Sequence, residues 1–396
     1  MLQPFSIGRL PRIEFGSGRM ALLPAIAAGF GQRLLLVTGG QSFTQSSSWE
    51  SLQHALHERE FHWDVLRIVG EPSPDTVDQA VAVWRQEAID AVIGIGGGSV
   101  LDAAKAIAGL LKPGNSVMDH LEGVGPEQPY RGPATSFIAV PTTAGTGSEA
   151  TKNAVLTRHG ADGFKKSFRD DQLMAAYAIL DPDLLASCPP ELIAANGMDA
   201  FTQLLEAYVS IRANPLTDAL ALSGIEAAVD GLLPWFQGGE GAAEGRAKMA
   251  YAALLSGICL AQSGLGSVHG LAQPLGSLFP IPHGVVCGTL LAAATRINIE
   301  VLQAREPGHP ALGKYAEVGR RVLRHTDVDD ERARTGLVDT LEEWTAVMGL
   351  PTLDRLGVGT ADFGRIVANS RGSSMKTNPV MLTDEEIERI LRLRFG

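Results

Sequence analysis

The chain has 396 residues and a formal net charge of −11, with 45% apolar and 19% charged residues. It is longer than one average domain, so we expect two, and its composition is typical of a protein with large apolar cores. The negative charge excludes nucleic acid as a partner, because phosphate backbones require clustered Lys and Arg.

Neither a membrane surface nor a disulfide framework is predicted. No basic run or basic amphipathic face is present. The most apolar stretches, residues 250–261 and 285–294, are shorter than the roughly 20 residues that cross a bilayer. The three cysteines, Cys188, Cys259 and Cys287, are far apart and odd in number, which supports neither disulfides nor a CxxC zinc site. We therefore expect reduced thiols in a cytoplasmic protein.

The first half of the chain alternates short apolar runs with amphipathic stretches. Runs that predict strands are residues 33–38, 62–69, 90–96, 135–140, 153–157 and 175–180. A helix is predicted over residues 74–87, where Val77, Val81 and Trp84 recur at helical spacing. Such alternation is typical of a parallel sheet covered by helices on both faces, so an α/β domain is expected over residues 1–188.

The second half of the chain has a different character. From residue 190 onward it is rich in Ala and Leu at helical spacing and has few strand signals. It therefore predicts an all-helical domain over residues 189–396.

A glycine-rich turn, Gly96-Gly97-Gly98-Ser99, joins an apolar strand to a predicted helix at residues 100–111. Glycine allows a backbone to approach a ligand closely, and a helix N-terminus presents free N–H donors. The turn therefore predicts a pyrophosphate site, with a tight turn that merely needs glycine as the alternative. It is not the usual GxGxxG fingerprint, because Ser99 stands where the last glycine is needed.

A second polar loop, residues 141–149, follows the predicted strand at 135–140. Its hydroxyls belong to Thr142, Thr143, Thr146 and Ser148, and they are suited to ribose or phosphate oxygens. In isolation the string could equally be a turn-rich connection. Two such loops at the ends of neighbouring strands are more specific than either one.

Together these segments resemble, in order, those of the iron-containing (group III) alcohol dehydrogenases. GGGSVLDAAKA (96–106) and PTTAGTGSEAT (141–151) look like that family's cofactor-binding segments. GMDAFTQLLEAYVS (197–210), GLGSVHGLAQPLG (264–276) and PHGVVCGTLL (282–291) look like its metal and catalytic segments. The resemblance spans almost the whole chain.

The resemblance implies a fold and an activity. The fold would be a doubly wound parallel-sheet dinucleotide-binding domain followed by a helical metal and substrate domain. The activity would be hydride transfer between NAD(P) and a small alcohol, aldehyde or ketone in the cleft between the domains. The cofactor-binding residues would be Gly39, Gly40, Gly96, Gly97, Gly98, Ser99, Asp102, Thr142, Thr143, Thr146 and Ser148.

The resemblance also implies a metal site, and here the chain departs from the family. Asp199, His269 and His283 fall on three of the family's four ligands, and the fourth, usually histidine, is Gln203. Two histidines and a carboxylate suit Fe(II) or Zn(II), which would polarise the substrate oxygen. Because a neutral amide is a poor ligand, we expect weak metal binding or an empty site in the purified protein. A hydrogen-bonded polar cluster without metal is the alternative.

The second departure concerns proton transfer. Gln273, one helical turn after His269, stands where the family has a histidine near the substrate. With Asp199 and His269, it forms our predicted catalytic set. Glutamine does not titrate, so protons would pass through water, a ribose hydroxyl or another side chain. Alternatively, Gln203 and Gln273 recognise a polar group of a specialised substrate.

Cofactor choice depends on the residue after the first nucleotide-domain strand. The family often has an aspartate there, which bonds the ribose hydroxyls and repels a 2′-phosphate, whereas this chain has Gly39. NADP is therefore acceptable and slightly preferred over NAD, although no adjoining Arg or Lys attracts the extra phosphate.

Two other functions stay open at this point. One is a dehydroquinate-synthase-like lyase that uses NAD transiently, and the other is a catalytically silent cofactor-binding homologue.

The resemblance also suggests that the protein is a homo-oligomer. Lys165 and Lys166 are interpreted as a solvated loop pair, and Cys287 as a core residue rather than a reactive one.

Overall fold

The computed structural model describes residues 4–160 and 163–396, which divide into two compact units. One unit is Gly8–Cys188, and the other is Pro189–Gly396 together with residues 4–7. Residues 1–3 and 161–162 of the predicted first domain lie outside the described residues.

The first unit contains a parallel sheet and a separate pair of strands. The eight described strands are β1 (Arg12–Phe15), β2 (Arg33–Thr38), β3 (His62–Arg67), β4 (Ala91–Gly96), β5 (Ser136–Pro141), β6 (Asn153–Arg158), β7 (Phe164–Arg169) and β8 (Tyr177–Leu180). Six of them form one sheet in the order β1-β8-β5-β4-β2-β3, and every neighbouring pair in it is parallel. The parallel sheet is confirmed.

Helices cover both faces of this sheet. They are α1 (Leu23–Ala28), α2 (Ser47–Glu58), α3 (Pro74–Trp84) and α4 (Gly98–Leu110). Successive residues of β2 belong to different hydrophobic cores. Leu35 packs with residues of α3 and α4 in one core, and Leu34 packs with residues of α1 and α2 in the other. Because successive side chains of a strand point to opposite faces, a strand buried on both sides reads as one continuous apolar run. The doubly wound arrangement is therefore confirmed.

The strand pair β6–β7 departs from the sequence analysis. The stretch at 153–157 does form a strand, but β6 pairs antiparallel with β7 and not with the large sheet. Strand β7 was not predicted, and the interpretation of Lys165 and Lys166 as a loop pair is wrong, because both residues lie in β7. Lys165 is mostly buried, and its Nζ lies 2.5 Å from Glu71 Oε1.

The second unit is helical in its described residues. Its helices are α5 (Pro190–Val209), α6 (Pro215–Gln237), α7 (Ala242–Ser263), α8 (Ser267–Leu278), α9 (His283–Arg305), α10 (Pro310–Leu323), α11 (Asp330–Val347), α12 (Phe363–Ala368) and α13 (Asp384–Leu393). Helix α5 lies at the centre and packs against α6, α7 and α9. Because it is surrounded, α5 buries polar residues such as Asp199 and Gln203 along with its apolar ones.

Among the described residues, two helices, α6 and α9, are long and apolar enough to cross a membrane by length and composition alone, and the bent pair α7–α8 passes the same test as one unit. The prediction that the stretch 285–294 is too short was therefore wrong, since it extends into the 23-residue α9. The most apolar window of α9 is 83% buried within the protein, and the helix packs against α5, α8 and α11. Core packing accounts for its apolar composition.

Candidate functional site

The predicted cofactor residues of the first unit gather at one edge of the sheet. Gly39 follows β2, Gly96 ends β4 and Thr142 follows β5, and these three strands are neighbours. Their ends are level, because Thr38 pairs with Ile95 and Gly96 with Pro141. This carboxyl edge, where the strand order reverses between β4 and β2, is where open α/β sheets bind ligands.

The glycine turn packs closely against the second polar loop. The Thr142 amide donates a hydrogen bond of 3.0 Å to the Gly96 carbonyl. A Cβ at Gly97 would lie 3.2 Å from Thr143 Oγ1, and one at Gly98 only 2.6 Å from Thr146 Oγ1. Packing alone therefore requires glycine at position 98.

The same turn leaves the start of α4 available to an anion. Gly97 is the N-cap of α4 and has no side chain with which to cap it. The first N–H groups of a helix lack partners within the helix, and the N-terminus carries a partial positive charge. An uncapped N-terminus beside a glycine turn is suited to a phosphate group.

A buried lysine that the sequence analysis missed joins the two loops. Lys105 on α4 is fully buried, and its Nζ lies 2.8 Å from Ser148 O, 3.1 Å from Thr151 Oγ1 and 2.6 Å from Asn153 O. The Ser148 hydroxyl donates to Asp102 Oδ1 at 2.5 Å. Asp102 and Ser148, both predicted to bind cofactor, are thus bonded to each other. The available signal was the three-residue spacing of Asp102 and Lys105 on α4.

Burial shifts the pKa values of all three charged groups in this Lys105 cluster. Desolvation lowers the pKa of Lys105 to about 8, despite the neighbouring carboxylates. Desolvation raises the pKa of Glu149 to about 7, and it raises the pKa of Asp102 although Lys105 opposes the shift. Each charge in the cluster depends on the others for its stabilisation.

In the second unit, four side chains with metal-binding atoms come together. Asp199 lies on α5, His269 on α8, and His283 and Cys287 on α9; one ligand atom from each lies within 4.8 Å of the others. Asp199 Oδ1 is 3.3 Å from His269 Nε2 and 3.8 Å from His283 Nε2. These four residues are called the Asp199 cluster.

Helix packing explains why these residues meet. A Cβ at Gly284 would lie 2.6 Å from the carbonyl oxygen of Ala195. The start of α9 therefore approaches the backbone of α5 more closely than any larger residue would allow. This contact brings the first turns of α9 beside Asp199, one helical turn after Ala195 on α5.

Glu206 holds one of the histidines in place. Its Oε2 lies 2.7 Å from His269 Nδ1, and its Oε1 accepts a 2.7 Å hydrogen bond from the Val268 amide. A carboxylate that binds one imidazole nitrogen leaves the other available to a metal ion. Glu206 was not predicted from the sequence, although it lies seven residues after Asp199, on the same face of α5.

The Asp199 carboxylate shows that the residues fit a cation. Within the described residues, both of its oxygens are buried and accept no hydrogen bond of normal geometry. Buried polar atoms are nearly always hydrogen-bonded, so an exception requires a missing partner. Burial raises the pKa of Asp199, but the imidazoles of His283 and His269 outweigh this effect and lower it. The carboxylate is thus ionised, and both of its oxygens are available to a cation.

The two other titratable groups of the cluster are also shifted. Burial opposes a charge on His269, but Cys287, Glu206 and Asp199 hold its pKa well above its usual value. Burial raises the pKa of the Cys287 thiol to about 12. Cys287 is a core residue, as predicted, yet its Sγ lies 3.7 Å from Nε2 of both His269 and His283.

The two glutamines have different neighbours. Gln203 Oε1 accepts a 2.7 Å hydrogen bond from the buried Ser256 hydroxyl. Gln273 is partly buried on α8, and a Cβ at Gly372 would lie 2.7 Å from its Oε1. Gln203 therefore belongs to the polar surroundings of α5 and α7, and Gln273 lies against the segment that contains Gly372.

Comparison with known proteins identifies the family. Residues 11–182 match the family described as iron-containing alcohol dehydrogenase, and residues 193–395 match the C-terminal part of the same family. The chain belongs to the iron-containing alcohol dehydrogenase family. "Alcohol dehydrogenase 4" of Schizosaccharomyces pombe is 35% identical over 81% of this chain and 72% of its own length.

Two further proteins are similar to this chain over nearly all of its length. "NADPH-dependent butanol dehydrogenase" of Clostridium saccharobutylicum is 29% identical over 96% of each sequence. The crystal structure of a 1,3-propanediol oxidoreductase has a TM-score of 0.88 and 28% identity, and covers 99% of this chain and 100% of its own.

Family membership settles the class of reaction. This iron-containing alcohol dehydrogenase is an oxidoreductase that transfers a hydride between NAD(P) and a small-molecule substrate. The family binds NAD(P) and metal. The lyase and silent-homologue alternatives are not favoured.

Proposed function

We propose that this protein interconverts a small alcohol with its aldehyde or ketone, using NADP in preference to NAD and a divalent ion held in the Asp199 cluster. The observation that carries the proposal is the buried Asp199 carboxylate, which has two histidines beside it and accepts no hydrogen bond of normal geometry from the described residues. A bound Fe(II) or Zn(II) would polarise the substrate oxygen and stabilise the charge that develops on it.

The protein's own residues prepare this site. Asp199 is held ionised, and Glu206 fixes His269 with Nε2 directed at the cluster. His283 is partly exposed, with 29% of its side chain accessible, and so provides an entry path for the ion. Gln273 offers a neutral amide for hydrogen bonding and moves no proton. We therefore expect the dependence of turnover on pH to show no ionisation that belongs to Gln273.

The cofactor proposal rests on the space at Gly39. A Cβ at this position would lie 3.5 Å from Val100 Cγ2, an ordinary van der Waals contact, so a larger residue would fit. The glycine is thus not required by packing, and its effect is to leave out a carboxylate. Without that charge, a 2′-phosphate meets no repulsion.

Substituting Gly39 tests this proposal. Gly39→Asp should lower kcat/KM for NADPH by about 10-fold or more relative to NADH, because the new carboxylate repels the phosphate and bonds the ribose. Gly39→Ala, which adds the Cβ without the charge, should keep the original preference. An unchanged NADPH-to-NADH ratio in Gly39→Asp would contradict the assignment of this position.

The activity itself is tested by NAD(P)H oxidation across small aldehydes and ketones, with Asp199→Asn as the inactive control. Turnover in the wild type that Asp199→Asn abolishes supports the proposal. Turnover that survives in Asp199→Asn overturns the role of the cluster. A homo-oligomeric state and a cytoplasmic location stay predictions, and light scattering would test the first.

A further inference from the structure

We propose that Cys287 is a metal ligand in this protein and takes the coordination position that Gln203 does not fill. The centre would then consist of Asp199, His269, His283 and Cys287, with one oxygen, two nitrogens and one sulfur as donors. This inference rests on the proposed function in one respect, namely that the Asp199 cluster binds a divalent ion.

The distances in the cluster match a tetrahedral site. With zinc bonds of about 2.3 Å to sulfur and 2.0–2.1 Å to nitrogen or oxygen, tetrahedral angles place neighbouring ligand atoms roughly 3.3–3.6 Å apart. Cys287 Sγ lies 3.7 Å from Nε2 of both histidines. Asp199 Oδ1 lies 3.3 Å and 3.8 Å from the same two nitrogens. These four distances thus lie within about 0.4 Å of tetrahedral values, and all four atoms lie within 4.8 Å of one another.

The helical spacing supports the same assignment. His283 and Cys287 are four residues apart on α9, so both side chains project from one face of the helix. Cys287 is fully buried at this face, with its sulfur directed toward the two imidazoles. The helix that supplies one histidine ligand therefore supplies the thiol one turn later.

Gln203 is the weaker candidate for the fourth position. Its amide oxygen lies 2.7 Å from the Ser256 hydroxyl, whose single proton is shared between this oxygen and Ala253 O at 2.8 Å. A neutral amide brings no negative charge, whereas a cysteine binds as thiolate after releasing its proton to solvent. With Asp199 and Cys287 both ionised, the site would neutralise a divalent cation completely.

A thiolate ligand changes which metal the site favours. Soft sulfur donors select zinc over iron in isolated divalent sites, whereas an all-oxygen-and-nitrogen set discriminates less. We therefore expect Zn(II) to be preferred over Fe(II) in this member of the family. Four protein ligands also complete a tetrahedron, so catalysis at this centre requires the coordination number to expand to five, as zinc permits.

Cobalt substitution tests the ligand directly. The metal-free full-length protein is titrated with Co(II), and its near-ultraviolet absorption is recorded, because a thiolate bound to Co(II) gives a charge-transfer band that nitrogen and oxygen ligands lack. The wild type should show this band at one Co(II) per chain, and Cys287→Ser should lose it. Cys259→Ser is the matched control, a buried cysteine outside the cluster, and should keep the band.

Metal affinity gives a second readout. Loss of a ligand should weaken Zn(II) binding more than about 100-fold, since changes in the groups that merely orient ligands cost 10–100-fold. The double variant Gln203→His/Cys287→Ser should bind Co(II) again without the charge-transfer band, and its preference for Zn(II) over Fe(II) should be smaller. This variant keeps the test decisive if Cys287→Ser alone does not fold.

Each outcome decides the proposal. A band that Cys287→Ser removes and Cys259→Ser keeps supports Cys287 as a ligand. Stoichiometric Co(II) without the band overturns that assignment but leaves the metal-assisted function standing. No Co(II) binding, with turnover of NADPH intact, overturns both the ligand and the proposed role of the metal.

Discussion

Each unit of the protein buries a cluster of charged side chains, and the two clusters differ in how their polar atoms are satisfied. In the Lys105 cluster, the ammonium group has several oxygen acceptors within 3.1 Å, and Asp102 accepts a hydrogen bond from Ser148. In the Asp199 cluster, both carboxylate oxygens accept no hydrogen bond of normal geometry from the described residues. Lys105 and Asp199 are both fully buried, but only the Lys105 ammonium group has hydrogen-bond partners of normal geometry among the described residues.

This difference separates a cluster that shapes the fold from one prepared for a ligand. A buried polar network that is fully bonded makes its segment rigid, whereas a buried ion without partners is costly unless something else binds it. Lys105 therefore holds the loop 148–153 against α4. Asp199, whose oxygens accept no hydrogen bond of normal geometry from the described residues, is available to a bound cation.

The largest expected effect is in the Lys105 cluster. Lys105→Met should lower the free energy of unfolding by about 3–5 kcal/mol, because it leaves Asp102 and Glu149 buried without their positive partner. Denaturant-induced unfolding measures this loss. Lys112→Met, at an exposed lysine nearby, should stay within about 0.5 kcal/mol of the wild type. If Lys105→Met and Lys112→Met have the same free energy of unfolding, the hydrogen bonds of Lys105 make no net contribution to stability.

A second prediction uses pH to test the same cluster. The native state raises the pKa of Glu149 from 4.5 to about 7, so it retains a proton that the unfolded chain releases. This contribution to stability is complete below pH 4.5 and is lost as the pH rises through about 7, a difference of about 3 kcal/mol. The difference in the free energy of unfolding between the wild type and Glu149→Gln should therefore fall as the pH rises from 4.5 through about 7. A difference that is constant with pH would contradict the assignment.

The Asp199 cluster should respond to metal instead. Zn(II) at 100 times its dissociation constant should stabilise the wild type by about 2.7 kcal/mol. Asp199→Asn should abolish this stabilisation, because it removes the anionic ligand. Thermal unfolding with and without Zn(II) measures it. Asp218→Asn, at a carboxylate paired with Lys314 on the same unit, should respond to Zn(II) like the wild type. If Zn(II) stabilises Asp199→Asn as much as it stabilises the wild type, the ion binds outside the Asp199 cluster.

The smallest effect is expected at Glu206. Glu206→Gln keeps the shape of the side chain but weakens its hold on His269, so metal affinity should fall about 10–100-fold, or about 1.4–2.7 kcal/mol. Competition with a chelator of known affinity measures the change. Glu226→Gln, at an exposed partner of Arg321, should leave the affinity unchanged. If both variants bind metal as the wild type does, Glu206 is not a positioning residue.

The sheet and the loops at its edge could be predicted from the sequence because their signals are local. Apolar runs buried on both faces mark the central strands, and glycines mark the turn after β4. Strand β7 was not predicted because Lys165 and Lys166 interrupt its apolar pattern, although Phe164 and Phe168 lie an even number of positions apart, as expected for one face of a strand. Charged residues in a half-exposed strand resemble a loop when its partner strand is unknown.

The clusters were less predictable because they depend on contacts between distant segments. Asp199, His269 and His283 were brought together by family resemblance, and the structure places them side by side. Lys105 was missed, and Cys287 was predicted only as a core residue, which it is. A lysine is normally exposed and a cysteine in an apolar helix is normally core, so neither residue type signals a role until its neighbours are known.

The most direct test of the account is the metal content of the protein purified without chelator, with NADPH oxidation measured on the same sample. We predict close to one divalent ion per chain and a loss of turnover on chelation that added Zn(II) or Fe(II) restores. Full turnover in protein that contains no metal would contradict the central claim that the Asp199 cluster is a metal centre.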